Sequence, residues 1–221
     1  MTDENFDTAL ISAAFTLGAT QGWAKVSAAA AAREAGLDMV LARQRFAHRG
    51  TVLARFGELA DAYALTGALT EGPARDRLFD LLLRRFDFLQ MHRAGVAALL
   101  KGLPLDPLLA AWLARATLGS MGWMLEAAGI SASGLPGELR KQGLLAVWGW
   151  GARAWLRDES ADLTGTMSAV DTALNRAEEM DMRFLQRKAA PVPPVAEDVP
   201  FTPAEVAATE PEDEPPSVPE V

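Results

Sequence analysis

Apolar residues recur at helical spacing along almost the whole chain, and turn residues cut the pattern into about nine pieces. Residues 5–17 form the first, with Ala9, Leu10, Ala13, Ala14 and Leu17 on one face. "GATQGW" ends it, and Ser27 is placed to cap a short second helix over residues 28–34. Gly36 supplies the left-handed residue of a sharp turn, and Asp38 caps a third helix over residues 39–47. A fourth helix is predicted over residues 51–69. "TEGPARD" opens a fifth, which reaches about residue 91 and turns Leu78, Leu81, Leu82, Phe86 and Leu89 inward. Shorter and longer pieces follow at 95–100, 108–128, 138–157 and 160–187, with "GISASGLPG" left as a loop and Ser160 as a cap.

Composition sharpens this to an all-α fold. Half the residues are hydrophobic, enough for a sizeable core, and a single tyrosine with abundant Ala and Leu favours helix over strand. There is no cysteine, which excludes disulfides and thiolate metal sites and suits a cytoplasmic location. The polar, acidic start "MTDENFD" does not look like a secretory signal, and no apolar run is long enough to predict a transmembrane helix.

The net charge of -8 is concentrated at one end. From residue 189 onward there are eight acids and no base; without those eight, the 29 acids fall to 21 against 21 bases. This stretch is rich in Pro and Glu and too poor in large apolar groups to offset its ordering entropy, so residues 189–221 are expected to be a disordered acidic tail. A mobile counter-charge that competes for the arginines of the amino-terminal half is one role for it; a solubilising extension is the plainer one.

Candidate chemistry is sparse. The two histidines, His48 and His92, lie far apart without a second ligand at metal spacing, and no metal site or cofactor is expected. Nucleophile motifs and phosphate-cradling loops are not found, so no catalysis is expected. The densest positive segment lies between residues 33 and 55, where Arg33, Arg43, Arg45, Arg49 and Arg55 outnumber Glu34 and Asp38. A solvated helix face is the ordinary fate of such charge; DNA contact is the functional one.

Three short helices, the third after Ala35-Gly36-Leu37-Asp38, then a connecting helix and five more, resemble the TetR family of transcriptional regulators. Phe46 falls on the family's phenylalanine and Arg49 on its lysine, whereas Arg43 and Arg45 replace the usual tyrosine and histidine. The resemblance implies a helix-turn-helix unit over residues 1–49 and a helical ligand-binding and dimerisation domain over 50–188. It implies contacts to double-stranded DNA through Ser27, Met39, Val40, Arg43, Gln44, Arg45, His48 and Arg49. Met39 and Val40 offer no hydrogen bonds to bases, which leaves Arg43 and Gln44 as candidates for base reading.

The same resemblance places an apolar ligand among Phe86, Phe88, Met91, Trp112, Arg115, Met121, Trp123 and Met124. It places a homodimer interface on Leu145, Trp148, Gly149, Ala152, Trp155 and Leu156. For both sets, plain core packing is the competing explanation. Gly149 and Gly151 inside one helix point to a close neighbour, since glycine there costs about 1 kcal/mol relative to alanine. The segment over residues 143–174 is also similar to a ubiquinone-biosynthesis accessory family that shares the TetR fold but binds isoprenoid lipid and a partner enzyme. The aromatic helix, Asp158-Glu159-Ser160 and Asp171 carry that similarity; the family's acidic aromatic motif and membrane helix are missing.

Overall fold

The computed structural model describes residues 3–189, with side chains through residue 180. Nine α-helices and no strand occur among the described residues. In order they are α1 (Asp3–Gln21), α2 (Ala28–Glu34), α3 (Met39–Arg45), α4 (Arg49–Leu65), α5 (Ala74–Gln90), α6 (Arg93–Gly102), α7 (Pro107–Ala127), α8 (Gly134–Trp155) and α9 (Thr164–Ala189). Short 3-10 turns precede α2 and α7. The expected all-α order is present. The tail expectation lies outside the described residues.

Several boundaries differ from the sequence reading by two to four residues (α1 runs on to Gln21, past the break expected at residue 18), and three of the differences have a visible local cause. α4 stops at Leu65 because Gly67 takes a left-handed conformation (φ 72°) soon after. α8 begins four residues early, at Gly134. Pro136 sits in its first turn, where a missing N–H leaves no bond unmade. Buried Gly137 lets that turn lie against the Ala132 backbone, where a side chain has no room. α9 starts at Thr164 rather than Ser160 because Asp158 reaches forward. Its carboxylate accepts from the Thr166 amide (2.6 Å) and hydroxyl (2.8 Å), and also from the Ser160 amide (3.1 Å) and hydroxyl. The Ser160 hydroxyl bond, then desolvation in opposition, then the Thr166 bonds set the balance, which holds the Asp158 carboxyl well below its ordinary range.

Helix α1 is buried along one face and packs on α2, α4 and, most extensively, α6. The Phe15 ring joins those of Trp23 (4.9 Å), Phe56 (4.1 Å) and His92 (5.4 Å), and Phe56 continues to Phe88 (5.2 Å). This aromatic cluster ties the three amino-terminal helices to the body. Gly95 is its seat: a methyl group there would lie 2.8 Å from the Phe15 Cβ and closer still to the Phe15 carbonyl oxygen. The Trp23 indole N–H donates to the Gly95 carbonyl at 2.9 Å. Gly151 plays a similar part further along, since a Cβ would meet Val170 at 2.8 Å and the Phe86 ring at 3.0 Å. The close neighbour predicted from the glycines of α8 is therefore α9 and the Phe86 ring, at Gly151; nothing lies within 4 Å of a Cβ at Gly149.

One polar group crosses the middle of the body. Arg85 on α5 is 5 % exposed, with its Nη1 3.3 Å from Asp61 of α4 and its Nη2 3.4 Å from the Ser120 hydroxyl of α7. Ser120 in turn donates to Asp61. Nε and Nη1 of Arg85 have no hydrogen-bond acceptor, and the guanidinium lies 4.8 Å from the Trp148 ring centroid. Burial lowers the Arg85 pKa against the pull of Asp61, and burial likewise raises that of Asp61 against the pull of Arg85 and Ser120.

Candidate nucleic-acid interface

The amino-terminal unit is built by local signals that the sequence states openly. The Ser27 hydroxyl accepts from the Ala30 amide (3.1 Å) and so caps α2. Gly36 (φ 62°) lets the chain reverse, with the Leu37 amide returning to the Ala32 carbonyl at 2.9 Å. Asp38 then caps α3 through the Leu41 amide (2.7 Å). On α3, Ala42 and the following Phe46 are buried and anchor the helix. Met39, Val40, Arg43 and Gln44 form its exposed edge, at the i, i+1, i+4, i+5 spacing of one helical face.

A cavity of about 350 Å3 opens beside that edge, lined by Ser27, Met39, Arg43, Phe46, His48 and Arg49 among others. It is the notch where α2, α3 and the start of α4 meet. Thr51 steadies its far side, donating through Oγ1 to the His48 carbonyl at 2.6 Å. Five of the eight residues expected to touch DNA, Ser27, Met39, Arg43, His48 and Arg49, thus line one notch, and Val40 and Gln44 lie on the helix edge beside it. The eighth is Arg45.

The arginines divide into two kinds. Arg45 points inward, and its Nε and Nη2 bind the two oxygens of Asp7 on α1 at 2.7 and 2.8 Å, while Nη1 reaches Asp3 at 3.2 Å. Arg55 adds a second guanidinium to Asp7 at 3.0 Å and holds Glu58 at 3.0 Å. Arg45 is therefore corrected from DNA contact to an internal clamp, because the bidentate bond to a buried carboxylate uses its donor fork. Burial alone would raise the Asp7 carboxyl pKa; the bonds from Arg45 and then Arg55 outweigh it, and the pKa is lowered. The Asp7 bond in turn raises the pKa of the Arg45 guanidinium.

Arg49 is also paired, through Nη2 to Asp106 (2.6 Å) and Nη1 to the Trp23 carbonyl (3.2 Å). Arg43 is different. It is exposed and, among the described residues, has neither ion pair nor hydrogen-bond partner. Asp7 and Asp106 are the residues that sequence reasoning missed. Asp106 shows only as a cap ahead of Pro107, and Asp7 is one polar residue in an acidic start; nothing local names their distant partners.

The other two predicted sets are scattered. Phe86, Met121 and Met124 are fully buried, and Phe86 stacks on Trp148 at 4.3 Å. Phe88 is half-buried against Phe56 and Tyr63. Met91 (60 % exposed), Trp112, Arg115 and Trp123 (69 % exposed) lie on the surface, so the eight do not converge on one ligand. The reason is helical phase: Trp123 lies between Met121 and Met124 and faces away from both. On α8, Trp155 is wholly buried, its indole N–H donating to Gln90 (2.9 Å) and its ring covered by Arg93 at 4.5 Å. Leu145, Trp148, Ala152 and Leu156 are half-buried against the core, and of that set only Gly149 is exposed. The outward face of α8 instead carries Leu135, Leu139, Gly143, Ala146 and Trp150 (53 % exposed).

No group of His and acidic side chains among the described residues is arranged to hold a metal, and no described helix is long and apolar enough to cross a membrane. No protein-family model matches the sequence, and no curated protein matches it either. Solved structures do. A TetR transcriptional regulator from Nitrosomonas europaea superposes with a TM-score of 0.62 at 19 % identity, over 79 % of this chain and 99 % of that one. A TetR-family regulator from Streptomyces coelicolor gives 0.53 at 18 %, over 86 % and 100 %. A further one, from a Rhodococcus species and described as a putative TetR-family regulator, gives 0.52 at 22 %, over 77 % and 99 %. The resemblance to the ubiquinone accessory family finds no support in these comparisons. From its caps and buried aromatic seats to its full run of helices, the chain has the fold of the TetR-family transcriptional regulators.

Proposed function

We propose that the protein is a transcriptional regulator that reads double-stranded DNA through α3 and acts as a homodimer. The observation that carries this is the free Arg43, on the exposed edge of a helix whose inner side is locked by Ala42, Phe46 and the Arg45–Asp7 pair. A rigid helix of this width fits a major groove, and a free guanidinium at its edge suits a phosphate or a guanine. Gln44 beside it offers the amide that suits adenine. Regulators of the same fold among the solved structures support the assignment. Fluorescence anisotropy with the protein's own upstream DNA, against a scrambled duplex, tests it. Preference for the native duplex at low salt is expected; equal or absent binding by folded protein overturns it.

The homodimer reading rests on α8, whose outward face pairs large apolar groups (Leu139, Trp150) with small ones (Gly143, Ala146) that let a second helix approach. A single α3 reads one half-site, and a two-fold dimer presents two. Control by a small molecule is the finer part of the proposal. What supports it is Arg85, a buried guanidinium that is ion-paired with Asp61 and bonded to Ser120 but whose Nε has no hydrogen-bond acceptor. That chemistry favours an amphipathic ligand with an anionic group over a purely apolar or isoprenoid one. Native mass spectrometry of the freshly purified protein checks for such a ligand, and a mass equal to the bare chain in every preparation counts against it.

A further inference from the structure

The Arg49–Asp106 pair differs from the Arg45–Asp7 pair in a way that gives it another use. Asp7 has a side chain only 4 % exposed and is shared by two guanidiniums. Arg49 and Asp106 are 33 % and 36 % exposed, and each is the other's one ionic partner among the described residues. An ion pair this open to water is weak and exchangeable, so a second anion can displace the first. Arg49 is the first residue of α4, where a positive charge opposes the helix dipole and an anion is favoured. It also lines the notch beside the exposed edge of α3, together with Arg43. An anion approaching α3 therefore meets Arg49 already holding a carboxylate.

Asp106 belongs to the body, not to the amino-terminal unit. Its Oδ2 takes the Arg49 bond while its Oδ1 caps α7 through the Leu109 amide at 3.1 Å. One helix thus carries this carboxylate at its start and Ser120, the partner of the buried Asp61 and Arg85, further along. Trp112, between the two, lies beside Gly50 at the start of α4.

We propose that Asp106 is an intramolecular stand-in for a DNA phosphate: it occupies Arg49 in the free protein and must yield it to the DNA backbone, so that the position of α7 sets how readily DNA binds. The proposal rests on the DNA-binding function above and adds a built-in competitor to it. Displacement needs no change of fold, only rotation of the Arg49 side chain from one oxygen to another. Any shift of α7 that draws Asp106 away frees a phosphate donor, and any shift that tightens the pair removes one.

The test is a double-mutant cycle on DNA affinity. Asp106→Asn keeps the cap on α7, since asparagine caps as well as aspartate, but removes the charge. Duplex titrations at several salt concentrations on wild type, D106N, R49Q and the double variant read the result. D106N is expected to bind up to about fivefold tighter at low salt, the most that an exposed pair supplies. Its log–log salt slope should steepen by about 0.9, one phosphate's worth. In the R49Q background the same change should do neither. Equal affinity and slope for wild type and D106N, with wild type binding DNA, overturns the competitor and leaves the DNA-binding function standing. A gain that persists in R49Q overturns it too, because mere loss of a negative charge then explains the effect. If neither wild type nor D106N binds DNA, both proposals fall together.

Discussion

Asp7 is held between two guanidiniums at 3 % exposure, and this couples its ionisation to the fold. Replacing it with asparagine leaves Arg45 and Arg55 short of their shared acceptor. The expected cost near neutral pH is about 2 kcal/mol, read from urea unfolding. The pH dependence has a definite sign. The carboxyl pKa is lowered in the folded chain, so its contribution is complete above the ordinary value of 3.8 and is lost as pH falls through the folded value. Asp3 and Glu58 share the guanidiniums but remain in both proteins. The stability gap between wild type and D7N should therefore hold steady above about pH 5 and shrink progressively as the pH falls below 3.8 toward the lower folded value. A gap that stays constant over that interval means that Asp7 is not ionised in the fold. Gly95 makes a second prediction at this scale. Gly95→Ala drives a methyl group into Phe15 and should cost about 1–3 kcal/mol, whereas Gly149→Ala, with open space around it, should leave stability the same or raise it by up to about 1 kcal/mol.

Among the elements, α8 separates fold from assembly. Trp155 and Trp150 lie five residues apart and face opposite ways, one wholly buried and one half exposed. Trp155→Ala should cost about 3–5 kcal/mol by emptying a core site. Trp150→Ala should leave the melting temperature of the monomer nearly unchanged and lower the dimer fraction in sedimentation equilibrium. If Trp150→Ala leaves the dimer intact, the outward face of α8 is not the contact. The order of helices, the caps at Ser27 and Asp38 and the turn at Gly36 were all legible in the sequence, because each is settled within a few residues. The phase of α8 was not. Its tryptophans and small residues occur on every side, so periodicity alone gives no preferred face, and of the two tryptophans expected at the dimer contact the fold half-buries Trp148 and wholly buries Trp155. The same limit scattered the ligand set of α5 and α7. The partners of Arg45 and Arg49 were illegible for a different reason: Asp7 lies 38 residues from one and Asp106 lies 57 from the other, and no local pattern records a long-range ion pair.

On the scale of the molecule, the arginines predict how DNA binding responds to salt. Arg43 is free to meet a phosphate, so Arg43→Gln should weaken binding and flatten the salt slope by about 0.9. Arg45→Gln should lower stability and leave the slope of the folded protein almost unchanged, because its charge is already neutralised by Asp7. Equal slopes for wild type and R43Q would place Arg43 off the backbone and leave base contact as its only use on DNA.

The seat of Phe15 on Gly95 has a consequence for anyone who wishes to transplant the reading head. Residues 1–49 carry the caps, the turn and the exposed edge of α3, but the glycine that receives α1, and the carbonyl that receives the Trp23 indole, both belong to α6. Grafted onto a foreign body without that surface, the segment keeps its letters and loses its aim; a chimera that also imports residues 93–102 keeps both.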